Sequence, residues 1–215
     1  TTLFRSQVKV RFDATRLPIY AKMAVAGLLV GVIALEFPGV WGNGYVVTNR
    51  ILHNEVPLLM LGGLFCAKLL ATVATVSSGT VGGVFTPTLF LGASLGGLFG
   101  AGLHQIEIAT ELPTSSFALV GMASVLAATT RSPFLAMIMV FEISLDYSLM
   151  PPLMLGCVMA IVMANRLEKD SIYTEPLREK GFQLGEETTR FGAATAQRVG
   201  DVMLAPVPPV FDTTR

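Results

Sequence analysis

Apolar residues are gathered along this chain in long runs separated by short polar stretches. Residues 20–37, YAKMAVAGLLVGVIALEF, form the first run. It is just long enough to cross a ~30 Å hydrocarbon layer as a helix. PGVWGNGY breaks it with Pro38, turn-forming Gly and Asn residues, and Trp41, an aromatic of the kind that sits at membrane–water interfaces. The second run, 56–76, carries Lys68 in its middle, and the third covers 84–103. Between these two lies SSGTVGGVFTP, a glycine-rich polar break inside an otherwise apolar tract.

The later runs are shorter: 117–129, 133–145 and 151–164. At 1.5 Å per residue none crosses the hydrocarbon layer upright. Either pairs of them fuse across TTRS and DYSLMP, or they are separate partial or tilted helices packed inside a bundle. Pro133 behind Ser132, and Pro151 and Pro152 behind the second break, suit helix starts, with Ser132 placed as an N-cap. This favours separate helices, and short Gly/Pro-interrupted segments are a mark of transport folds. Gly92, Gly96 and Gly100 recur every four residues, a small-residue stripe that admits close helix contact. It is a packing feature, not a ligand site.

Composition supports the membrane reading: 52% of the 215 residues are hydrophobic and 14% charged, against roughly a quarter charged in soluble domains. Formal net charge is zero, yet 12 of the 15 basic residues lie in 1–22 and 164–215, leaving Arg50, Lys68 and Arg131 between them. The positive-inside tendency then places both ends in the cytoplasm and predicts an even number of crossings, in an inner (plasma) membrane. The start, TTLFRSQVKVRFDATRLP, lacks the layout of a signal peptide, and the expectation is a piece of a longer chain. Cys66 and Cys157 sit in separate apolar runs and read as small buried hydrophobes. No nucleophile–base pair or metal-ligand cluster points to an enzyme, no cofactor is expected, and no nucleic-acid partner is expected. After Gly181, FQLGEETTRFGAATAQR reads as a polar linker over 182–198. VGDVMLAPVPPVFDTTR, 199–215, reads as the start of a small soluble domain.

The polar break carries the chemistry. Backbone N–H groups at a helix start have no partner within the helix, and the helix dipole adds partial positive charge there. Inside a membrane these donors need protein, water or a ligand, and an anion is the natural ligand. GTVGGVFTP presents the N–H groups of Gly83, Val84 and Phe85, with Pro87 in the first turn. Such a site holds an anion without a full opposing charge, which favours release. A flexible inter-helix loop is the alternative. The absence of a Gly-Lys-Ser/Thr ending argues against a nucleotide P-loop.

SSGTVGGVFTPTLFLGASLGGLFG resembles the second-half signature of the CLC chloride channel and transporter family, G-G-[IV]-F-x-P at a helix N-terminus. LFCAKLLATVATVSSG resembles the family's preceding helix, GMASVLAATTRSPFLAMIMVFEIS its following helix pair, and SIYTEPLREKG its final helix. VGDVM resembles the opening of a CBS domain. The resemblance covers roughly residues 20–215 and implies an all-α membrane protein, the second half of an inverted-repeat CLC fold with broken and tilted helices. On this basis residues 1–181 are the membrane domain and 199–215 the start of a truncated CBS domain. The implied function is transmembrane chloride transport by a channel or a chloride/proton antiporter. The alternative is a non-transporting membrane anchor for a ligand-sensing CBS module.

The resemblance also assigns roles. Val84 and Phe85, with Gly83 beside them, donate backbone N–H groups to a central anion, and Tyr173 donates its hydroxyl to the same ion. Chloride is the transported ion. A homodimer is implied, with helices from 117 to 164 in the subunit contact, and a nucleotide is the candidate ligand of a full CBS domain. The family's first-half motifs, G-S-G-x-P and G-[RK]-E-G-P with its gating glutamate, have no match here, so the N-terminal half of the same chain is expected as a partner. Other residues read more plainly. Lys68 needs protein or water around it, as part of a structural pair or as a source of anion-attracting potential. Glu142 is a structural or dimer-proximal residue, Arg131 a helix-start or interface anchor, and His53 and His104 lie beside turns.

Overall fold

The computed structural model describes residues 18–79, 82–108 and 111–167, together with Ser171 and Tyr173. All lie in the first of two compact units, which ends at Tyr173. The polar linker, the CBS-like segment and all but Ser171 and Tyr173 of SIYTEPLREKG fall outside the described residues.

Seven α-helices account for most of the described chain, and no strand occurs among the described residues. In order they are α1 (Ile19–Glu36), α2 (Tyr45–Leu52), α3 (Leu58–Ser77), α4 (Phe85–Gln105), α5 (Thr114–Thr130), α6 (Pro133–Ser144) and α7 (Met150–Leu167). Single 3-10 turns at Pro38–Val40 and Tyr147–Leu149 precede α2 and α7. The helices begin where proline sets an extended entry: Pro18, Pro57 and Pro113 hold the N-cap positions of α1, α3 and α5. Two of them stop in left-handed backbone, at Arg131 (φ 61°) and Leu145 (φ 52°). Asp146 caps the second 3-10 turn by accepting from the Ser148 N–H at 2.9 Å. That bonding holds its exposed carboxyl below the usual aspartate range.

The short later runs are thus separate helices. The last is longer than its apolar run predicts, however. With the 3-10 turn it forms a continuous segment, Tyr147–Leu167, long and apolar enough to cross a membrane, as are α3 and α4. Pro151 and Pro152 lie in its first turn, where their missing N–H groups cost nothing, and the helix runs on through polar Asn165 and Arg166. Ser132 holds the N-cap position of α6, but its side chain makes no capping bond.

Packing follows from small residues. A Cβ on Gly92 would lie 2.6 Å from both the Gly121 carbonyl oxygen and the Met122 Cα. One on Gly100 would lie 2.7 Å from the Phe117 ring, and one on Gly96 would strike the Phe117 carbonyl. In return, a Cβ on Gly121 would strike the Gly92 carbonyl and meet the Gly96 Cα at 2.8 Å. Rising numbers on α4 meet falling numbers on α5, so the two run antiparallel, backbone against backbone. In the same way Gly97 faces Leu61 and Phe90 faces Lys68, which makes α3 and α4 antiparallel. α5 is the central helix, packed on α4, α6 and α7. Its Ala118, Met122, Ala123, Leu126 and Ala127 are buried with Phe90, Val140, Leu153 and Cys157. Cys66, expected to be buried, is exposed: it lies on the side of α3 turned away from this core.

Candidate functional site

The polar break resolves into the end of one helix and the start of another. α3 ends at Ser77 and α4 begins at Phe85, with Val84 as its N-cap residue. Val84 and Phe85 are half-buried, and Gly82 and Gly83 are exposed. The first turn of α4 contains Pro87, which has no N–H, and Thr88, whose hydroxyl donates back to the Phe85 carbonyl at 2.6 Å. Among the described residues no acceptor meets the N–H groups of Val84, Phe85 and Thr86. These are the donors that a helix start leaves open, in a chain whose flanking helices suit a bilayer.

A cavity of about 510 Å³ lies beside this helix start. Gly82, Gly83 and Pro87 form one wall; Asn43, Lys68, Thr72 and Thr75 supply polar groups; Gly27 and Gly31 of α1 complete it. Val84, Phe85 and Tyr173 are not among the residues lining it. Tyr173 is about half-exposed, and its N–H donates to the Ser171 hydroxyl at 3.3 Å. No hydrogen bond or ring contact among the described residues joins Tyr173 to the start of α4.

Lys68 has specific company. Its side chain is 3% exposed, and Nζ donates to the carbonyls of Val40 at 2.9 Å and Gly42 at 2.8 Å. The ammonium also lies 5.5 Å from the centre of the Phe90 ring, a cation–π distance. Gly44 (φ 79°) packs on the same ring, where a Cβ would come within 2.7 Å of it. One lysine thus ties the turn between α1 and α2 to α3 and to the second turn of α4. Its partners are backbone groups some 26–28 residues away, which leave no side-chain signature in the sequence.

Arg131 ends α5 rather than starting α6. Its guanidinium donates from Nη1 to the Asn165 Oδ1 and from Nη2 to the Ala164 carbonyl at 3.1 Å. The buried hydroxyls of Ser77 and Ser94 have no hydrogen-bond partner among the described residues. The histidines do local work: His53 Nδ1 donates to the Asn49 carbonyl at 2.8 Å, and His104 Nε2 to the Leu112 carbonyl at 2.8 Å. Glu142 is exposed.

Known proteins resemble this chain in sequence and fold. The voltage gated chloride channel family profile matches residues 2–165. A ClcB-like protein of Ralstonia nicotianae is 43% identical over 166 residues, which is 77% of this chain and 39% of that protein. The voltage-gated ClC-type chloride channel ClcB of Escherichia coli is 40% identical over 164 residues, 76% of this chain and 39% of its own length. The solved structure of a slow cyanobacterial Cl-/H+ antiporter superposes with a TM-score of 0.71 at 26% identity, covering 82% of this chain and 42% of that one. The chain thus spans about two fifths of the length of these relatives. The family profile over residues 2–165, relatives at 40–43% identity and a shared helical fold make this chain a member of the voltage-gated chloride channel (CLC) family.

Proposed function

We propose that the chain supplies the second half of a transmembrane chloride pathway of CLC type. The observation that carries this reading is the open start of α4, where the N–H groups of Val84 and Phe85 have no acceptor among the described residues. Oriented neutral dipoles replace part of an anion's hydration while leaving it weakly enough held to depart. Gly83 lets the chain approach the ion closely, and the Tyr173 hydroxyl closes the site from a second direction. Chloride is the transported ion in this reading. Relatives named as channels and a neighbour named as an antiporter share the architecture, so the proposal takes the step common to both, anion passage. The exposed apolar side chains of α6 and α7, among them Phe134, Ile138, Leu155 and Met159, belong in this reading to a subunit contact between two copies and to lipid.

Chloride binding to the purified full-length protein, followed by isothermal titration, tests the site. Tyr173→Phe keeps the ring and removes one donor to an anion, and is expected to weaken chloride binding roughly tenfold. Wild-type affinity in that variant would remove Tyr173 from the site.

A further inference from the structure

The end of α7 is tied down by a residue that no part of the anion chemistry uses. Arg131 adopts left-handed backbone (φ 61°), a conformation that glycine takes at little cost and a long side chain does not. Its guanidinium forks onto Asn165 and the Ala164 carbonyl. That carbonyl belongs to the last turn of α7, where a helix end carries partial negative charge. Arg131 itself caps α5, so one cation sits at the C-terminal ends of two helices. Tyr173 follows Asn165 by eight residues, a reach of at most roughly 28 Å when fully extended. Next to the tyrosine, Ser171 is buried and its hydroxyl holds the Tyr173 N–H.

We propose that Arg131 is a positioning residue for Tyr173: by clamping the end of α7 to the corner between α5 and α6, it fixes the point from which the chain carries the tyrosine hydroxyl to the anion. The proposal rests on the reading of Tyr173 as an anion ligand. Position 131 offers a clean test, because Arg131→Gly removes the side chain while suiting the backbone. In the full-length protein Arg131→Gly is expected to weaken chloride binding roughly fivefold. Arg131→Lys, which keeps the charge but loses the two-pronged geometry, should fall between it and wild type. Asn165→Ala, which leaves the α5 cap untouched, should move affinity in the same direction.

The decisive arm is the double variant. If Arg131 acts through Tyr173, adding Arg131→Gly to Tyr173→Phe weakens binding no further than Tyr173→Phe alone. Loss equal to the product of the two single effects would make Arg131 an independent contributor and overturn the proposal. So would wild-type affinity in Arg131→Gly alongside a weakened Tyr173→Phe, and that result would leave the tyrosine reading standing. Wild-type affinity in Tyr173→Phe would overturn both.

Discussion

At the scale of single residues, the most informative side chain is Lys68. A charge in the middle of an apolar run reads from sequence as either a structural tie or a source of potential for the anion. The structure gives it two carbonyls and a ring, which makes it a tie that also lines the cavity beside the α4 start. Removing the ammonium leaves the Val40 and Gly42 carbonyls without the donor that holds them. Lys68→Met should therefore cost roughly 3 kcal/mol of stability, read as a lower Tm in detergent. Lys68→Arg should recover part of the loss. That Lys68 needed protein or water around it was legible from its place in the run. Which partners it takes was not, because peptide carbonyls look alike in any sequence. The same holds for Arg131, whose acceptors lie 33–34 residues away across two turns.

At the scale of elements, the seam between α4 and α5 decides the geometry of the helix start. The two backbones touch through Gly92, Gly96 and Gly121, so any added methyl must push the helices apart. Gly96→Ala should cost about 2–3 kcal/mol, seen as loss of monodisperse protein on gel filtration. Gly102, on the same helix, has nothing within 4 Å of its Cβ position. Gly102→Ala should be neutral or stabilise by about 0.5 kcal/mol through helix propensity. A wild-type Tm for Gly96→Ala would mean the seam is looser than its backbone contacts imply. Helix existence was readable for the six apolar runs because each is bounded by proline or glycine, but that of α2, Tyr45–Leu52, was not, because its short mixed sequence forms no apolar run. Helix length was less so: α7 outruns its apolar stretch at both ends, since prolines are welcome in a first turn and a final polar turn keeps its hydrogen bonds. Sequence also gave no sign that Cys66 faces outward, because a run apolar on all sides does not say which side meets a neighbour.

At the scale of the whole molecule, the outer helices present exposed apolar side chains. Leu28, Val32 and Leu35 on α1, and Leu155, Met159 and Met163 on α7, are exposed. The surface suits lipid and further protein, and the chain covers only about two fifths of its relatives. If one wall of the anion pathway lies here, the 215-residue chain reconstituted alone should pass chloride no faster than empty liposomes in a flux assay. Selective flux from it alone would show a complete pathway and contradict the one-wall reading. The interlocked glycines of α4 and α5 also bear on how such a pathway works. Two helices in backbone contact cannot roll or slide past each other by a fraction of a turn, because every neighbouring register puts a side chain where there is room only for hydrogen. Any working cycle must then move α4 and α5 as one piece. In the proposed pathway the donors at the α4 start would then form a fixed jaw, and whatever grips and releases the anion would be the parts that move against it.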